Sequence, residues 1–246
     1  MKQEYFSISR IRCFESCQWA YKLQHIDKAQ VKEAAPSTAA NFGNLIHHCA
    51  EFGIFDVEEA KKLAETTYAP ITSDDLNRNL VPNLFAVKSY VERIDSQYPQ
   101  KPSNEKFINW YGPKYNLTSK IDRICQNGSS FKIIDYKTGK NIDDADKATE
   151  QLKFYHLLSL FWIRDKLKIA TINSISCELF FTRHDKVLPY TFNNDQIVDF
   201  TRDIKRRIET IRSTTKFFPN PSRWNCSCCP YKHDRSLCQS SAYRPK

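Results

Sequence analysis

The sequence predicts an α/β fold, and three observations carry that expectation. Residues 117–136 read as a tight β-hairpin, and two further strand-like runs follow at 175–182 and 187–192. Helical stretches at 147–163 and 196–212 separate and follow these strands, each with apolar residues recurring at helical spacing. Alternation of the two periodicities suits a sheet with helices packed on it.

The hairpin organises the chain. Runs 117–125 and 131–136 flank Asn127-Gly128-Ser129, a tight-turn sequence. The turn centres on Asn127-Gly128 or on Gly128-Ser129. Both registers keep the same side-chain parity, so both put Asp122 and Asp135 on one face. Lys137, two residues beyond Asp135, shares that face. Ile133 and Ile134 suggest a strand buried on both sides, and an acid entering such a strand needs a partner or a metal. Two acids and a lysine on adjacent strands form a cation site with a positive charge beside it.

Composition sets the bounds. The 246 residues suffice for one large domain, and 41% hydrophobic content supports a sizeable core. The net charge of +9 suits a polyanionic partner. Residues 1–9 contain no apolar signal region, and the longest apolar run, 157–163, is too short to cross a bilayer, so a cytoplasmic protein is expected. Nine cysteines in such a chain point to metal ligation before disulfides.

Taken in order, residues 7–23 read as one helix capped by Ser7 or Ser9, with Cys17 near its buried stripe. A polar loop, 28–40, follows. Asn41 is the expected cap of a helix over 42–55, where His47 and Glu51 share a face one turn apart. Asp56-Val-Glu-Glu59 is a capping box for a short helix to about residue 68. Pro82 sits in the first turn of another helix, with Leu84, Val87, Val91 and Ile94 along one face. Strands are expected at 106–111 and 115–125, with Glu105 a weaker candidate for a further acid near the site. Residues 141–146 are acidic and loop-like. In the helix over 147–163, Gln151 and Tyr155 lie one turn apart. Asn194 or Asp195 caps the helix over 196–212, where Lys205, Arg206, Arg207 and Arg212 cluster away from the apolar face.

At the C-terminus Cys226 and Cys229 form Cys-x2-Cys, Cys238 follows, and Cys228 is a surplus. Pro219 and Pro221 exclude regular structure there, so a ligand must hold these cysteines. The fourth partner is either His233, giving zinc, or Cys17, giving a four-cysteine iron–sulfur cluster.

Ile121-Asp122-Arg123 and Ile133-Ile134-Asp135-Tyr136-Lys137-Thr138-Gly139 together resemble the core of the PD-(D/E)XK nuclease superfamily, in its RecB-like branch. Gly43-Asn-Leu-Ile-His47 resembles the first motif of that branch, and Gln151-x3-Tyr155 the motif that follows Asp-x-Lys. The run 7–23 and the late cysteines resemble members carrying an iron–sulfur cluster, such as AddB and the CRISPR-adaptation nucleases. Ile121 stands where proline is common, Ser119 where glycine is frequent, and Gln18 where proline follows the first cysteine.

The resemblance implies a restriction-endonuclease-like mixed sheet flanked by helices, with a helical insert and a Cys-rich C-terminal staple. It implies one domain over 1–246: an N-terminal helix and loop (1–40), a helical part (41–104), a nuclease core (105–192), and a basic helix with the Cys cluster (193–246). The implied activity is metal-dependent hydrolysis of DNA, by an exonuclease rather than an endonuclease, on single-stranded or end-exposed DNA. His47, Asp122, Asp135 and the main-chain carbonyl of Tyr136 would hold one or two Mg²⁺ or Mn²⁺ ions, the histidine favouring Mn²⁺. Lys137 would orient water or stabilise phosphorane charge. Gln151 and Tyr155 would touch substrate, Lys205 and Arg206 phosphates. Cys17, Cys226, Cys229 and Cys238 would bind a [4Fe-4S] cluster, with Zn²⁺ the alternative. Recombination, helicase or adaptation proteins are the implied partners. The alternatives are a CRISPR-adaptation-type nuclease and an inactive core serving as a DNA-binding scaffold.

Overall fold

The structure is a computed structural model that describes residues 4–31, 37–142 and 145–242. Strand β1 (Tyr5–Phe6), helices α1 (Ile8–Ser16) and α2 (Gln18–Tyr21) and a π-helical turn (Lys22–Ile26) come first. Helices α3 (Thr38–Phe52), α4 (Val57–Thr66) and α5 (Leu80–Gln97) precede strands β2 (Gln100–Tyr111), β3 (Asn116–Asn127) and β4 (Ser130–Lys137). Helix α6 (Ala145–Lys166), strands β5 (Ser174–Phe181) and β6 (Lys186–Thr191), and helices α7 (Asn194–Ser213) and α8 (Arg223–Ser227) follow. The chain divides into two compact units, residues 36–198 and residues 1–35 with 199–246.

The larger unit carries a mixed sheet flanked by helices, as the sequence predicts. Strands β2, β3 and β4 pair antiparallel in succession, β4 runs parallel to β5, and β6 returns antiparallel. The parallel step needs a crossover, and α6 supplies it. The hairpin takes the second of its two registers. Asn127 pairs with Ser130 around Gly128-Ser129, and Gly128 adopts a φ of 58°, which costs a glycine little.

Alternation along β4 sorts its side chains. Ile134 and Tyr136 join Cys125 and Phe180 in the core beneath α3, α4 and α5. Asp135 and Lys137 alternate with them and turn to the opposite face, where Lys137 meets Gln151 of α6. Tyr90, stacked on Phe180 with ring centroids 4.2 Å apart, donates a hydrogen bond to the buried Glu178 carboxylate, whose other oxygen pairs with Lys132.

Local signals account for the helix ends, with two of the caps shifted. Asp56 caps α4 as expected, accepting from Glu59 N at 2.9 Å. Ser37, not Asn41, caps α3, its hydroxyl accepting from Ala40 N at 3.4 Å, while Asn41 lies inside the helix and donates its amide to the carbonyl of Pro70 at 3.1 Å. Gly53, at φ 69°, ends that helix in the left-handed conformation. At α7 the cap is Asn193. It exchanges hydrogen bonds of 2.9 Å with Gln196 in a reciprocal box, one residue before the expected cap.

In the smaller unit, Ser7 caps α1, but the helix expected to run to residue 23 breaks at Cys17, whose backbone is extended at φ −159°. Phe14 and Tyr21 meet edge-on at 5.3 Å, and Phe217 joins both at 6.4 Å. Phe200, Ile204, Ile208 and Ile211 of α7 are buried, as their spacing predicts. The two prolines exclude regular structure only as far as residue 221, since Ser222 caps the one-turn helix α8. No helix among the described residues is long and apolar enough to cross a membrane.

Replacing Tyr90 by Phe should keep the ring stack and leave one oxygen of buried Glu178 without its donor. We expect a loss of about 1–3 kcal/mol in unfolding free energy, read by denaturant titration. A change inside about 0.5 kcal/mol, the range of surface substitutions, would remove this bond from the account of stability.

Candidate active site

The β3–β4 ladder runs from Asn127↔Ser130 to Arg123↔Ile134 and stops one step short of Asp122 and Asp135. There the Asp122 carboxylate takes over, accepting a hydrogen bond from Tyr136 N at 2.8 Å. This satisfies a backbone donor that the ladder no longer serves. The carboxylate is thereby fixed against β4 by the backbone itself.

Helix α3 delivers His47 to the same place. Its Nε2 lies 3.1 Å from the carbonyl oxygen of Tyr136, and with the proton assigned to Nε2 it donates there. That leaves Nδ1 facing Asp122 Oδ2 at 3.5 Å and Glu105 Oε1 at 3.8 Å. The close approach depends on Gly43, one turn earlier, where a Cβ would stand 2.8 Å from Thr138 Oγ1. Burial opposes protonation of His47, but the hydrogen bond and charge of Asp122 outweigh it and hold the imidazole above its ordinary value.

Glu105 is the residue that sequence reasoning underweighted. It sits inside β2, which begins at Gln100 rather than at 106, because Pro102 is tolerated near the start of an edge strand. Its φ of 47° is rare for a residue with a Cβ. Such strain persists where the surroundings over-determine it, and here it aims the carboxylate at His47 and at Lys120, with which it is ion-paired. His47, Glu105 and Asp122 each offer a ligand atom within 4.8 Å of the others, the one such trio of histidine, cysteine or acidic residues among the described residues. They line an open cleft of about 490 Å³ together with His48, Glu51 and Tyr68. His48 donates or accepts with Tyr68 at 2.9 Å, so of the two adjacent histidines only His47 belongs to the trio.

Asp135 is buried, only 2% exposed, and Lys137 Nζ meets its Oδ2 at 2.5 Å. That oxygen has no further hydrogen-bond partner. Burial pushes the carboxyl up to about 6, Lys137 pulls it back, and Asp122 adds to the rise. Lys137 also donates to Gln151 Oε1 at 3.1 Å, and Gln151 Nε2 donates to Tyr155 Oη at 2.5 Å. Burial, reinforced by Asp135 and Asp122, drives the Tyr155 phenol well above its usual range, so it stays neutral. The structure thus joins Asp135, Lys137, Gln151 and Tyr155 in one chain of contacts, and His47 and Asp122 in a neighbouring one.

The other predicted residues belong to the smaller unit. Cys17, Cys226, Cys229 and Cys238 line a single cavity. Asn220 N donates to Cys17 Sγ at 3.4 Å and Ala242 N to Cys226 Sγ at 3.3 Å. Cys228 is exposed and turned back on the carbonyl of Trp224 at 3.4 Å. Cys13 does not line the cavity; burial, with Cys17 and Cys229 near, raises its thiol to about 11. The early and late segments are bound together here. Trp19 donates its indole N–H to Leu237 O at 2.8 Å, and Asn220 and Asn225 both donate to Ser16 O. Arg206 pairs with Asp203 at 2.6 Å on the solvent side of α7, beside exposed Lys205, whereas Arg207 grips Glu15 with two bonds of 2.6 Å.

Comparison with known proteins bears on the fold and on the family. Among solved structures, a candidate exonuclease of Eubacterium rectale superposes with a TM-score of 0.56 at 11% identity, covering 99% of this chain and 91% of that one. That likeness speaks for the fold. SSO0001 (13% identity, 92% and 96% covered, TM-score 0.36) and VC1899 of Vibrio cholerae (14%, 85% and 58%, 0.27) match more distantly. Among curated proteins none matches. The family model of the PD-(D/E)XK nuclease superfamily matches residues 5–239, nearly the whole sequence. The chain belongs to the PD-(D/E)XK nuclease superfamily.

Proposed function

We propose that this chain is a metal-dependent deoxyribonuclease of the RecB-like type, an exonuclease acting on single-stranded or end-exposed DNA. The observation that carries the reading is the convergence of His47, Glu105 and Asp122 on one open cleft. A divalent cation fits this donor set of two carboxylate oxygens and one imidazole nitrogen. The buried Asp135 oxygen with no partner beyond Lys137 fits it too, as a further acceptor near the trio. The carbonyl of Tyr136, already beside His47, is the remaining candidate ligand. A bound cation would supply charge neutralisation for the phosphodiester and a more acidic water.

The chain's own residues do the positioning. Lys137 is held between Asp135 and Gln151, so its ammonium is fixed with little rotamer freedom left to lose. A cation placed in advance where negative charge builds needs no reorganisation during reaction. Gln151 acts through Lys137, and Tyr155 braces Gln151 while remaining a neutral hydroxyl. Lys205 and the exposed side of Arg206 are available to phosphates, whereas Arg207 is committed to Glu15.

A second, structural group is proposed for the smaller unit: one [4Fe-4S] cluster on Cys17, Cys226, Cys229 and Cys238. Four cysteines share a cavity, and backbone N–H groups point at two of their sulfurs, the hydrogen bonding that tunes cluster thiolates.

Three measurements test these readings. Asp135→Ala and Lys137→Ala should each lower cleavage of end-labelled DNA at least a hundredfold, with DNA affinity changed only a few-fold. Near-normal cleavage by either, free of contaminating nuclease, would overturn the site. Glu105→Gln should raise the Mn²⁺ concentration giving half-maximal activity by roughly tenfold or more; an unchanged titration would return Glu105 to a purely structural role. Anaerobically purified protein should be brown, and Cys17→Ser or Cys229→Ser should bleach it while Cys228→Ser does not. Colourless protein with one zinc per chain would replace the cluster by zinc and leave the nuclease reading intact.

A further inference from the structure

Strand β2 continues past Glu105 as an exposed ladder that the catalytic site does not use. Lys106, Ile108 and Trp110 point toward α6: Lys106 lies over the Trp162 ring at 5.2 Å, Ile108 is buried, and Trp110 stacks on Phe161 at 5.0 Å. The alternate residues Phe107 and Tyr111 therefore stand on the other face, 65% and 64% exposed. Phe107 is paired across the strands with Lys120, and Lys120 is the residue ion-paired with Glu105 at the rim of the metal cleft. The face thus runs from the acidic trio to a lysine beside one open aromatic ring, then to a second ring roughly 14 Å further along, at about 3.4 Å per residue.

Phe107 and Tyr111 thus present two large, mostly exposed aromatic side chains on one face of the strand. We propose that this face is the track of a single strand of nucleic acid entering the cleft, with bases stacked on Phe107 and Tyr111 and a phosphate near Lys120. The proposal deepens the nuclease reading and rests on it for the direction of the track. Two features choose this occupant. The basic residue beside the ring complements a phosphodiester, and the face is continuous with the cleft that would receive that phosphodiester. Bases in a duplex are already stacked on their neighbours and offer no free face to an aromatic side chain, so the surface selects unpaired strands.

The test is equilibrium binding of the full chain, in EDTA to prevent cleavage, to fluorescent oligo(dT), to an abasic oligonucleotide of equal length, and to a blunt duplex. Phe107→Ala and Tyr111→Ala should each weaken oligo(dT) binding roughly five- to a hundredfold, while Phe107→Tyr and Tyr111→Phe preserve it. The wild-type chain should bind the abasic strand about as weakly as Phe107→Ala binds oligo(dT), and duplex affinity should not change in any variant. Unchanged oligo(dT) binding in both alanine variants, equal losses on duplex and single strand, or no wild-type binding to oligo(dT) would each overturn the track. Loss of the track with Asp135-dependent cleavage intact would leave the nuclease reading standing. Aromatic-dependent strand binding without any cleavage would instead retire the nuclease reading and keep the track as a binding surface.

Discussion

A carboxylate buried in the centre of a sheet constrains everything around it. Asp135 follows Ile133 and Ile134 on its strand, is almost fully enclosed, and has a proton affinity driven upward by that enclosure. An isolated charge there would be untenable, and the fold answers with Lys137 two residues on, on the same face. Lys137 in turn needs acceptors, which explains the polar Gln151 on that side of α6, and Gln151 explains Tyr155. The chemistry-bearing side chains are therefore each other's solvation shell.

The second constraint is backbone satisfaction at the point where the hairpin opens. The ladder ends, and Tyr136 would lose partners for its N–H and its carbonyl. Asp122 serves the first and His47 the second. Two candidate ligands are thus held by ordinary strand-end hydrogen bonding, and the site is rigid because the sheet requires it to be. The approach of α3 that makes this reachable depends on the missing side chain at Gly43.

Much of this was legible in the sequence because it is local. The turn at Gly128, the isoleucines before Asp135, the capping box at Asp56 and the apolar face of α7 each follow from residues within one turn or one strand. Glu105 was hard to read because its role comes from an unusual backbone angle and from partners on α3 and β3, neither of which spacing encodes. The break at Cys17 was hidden for a similar reason. Helical periodicity continues through residues 7–23, and only the hydrogen bonds from Asn220, Asn225 and Trp19 to distant backbone show why the chain turns there.

The left-handed backbone at Glu105 bears on solubility as well as on the site. Among the described residues strand β2 pairs with β3 alone, so its outer side is a twelve-residue edge carrying two exposed aromatic side chains, the kind of template along which chains add to one another. The kink interrupts that edge after Asn104 and leaves two segments of five and six residues, Gln100–Asn104 and Lys106–Tyr111, each too short and too differently aimed to recruit a neighbour along its full length. A substitution restoring regular strand geometry at this position would remove the acid and, in the same step, flatten the edge into an aggregation surface.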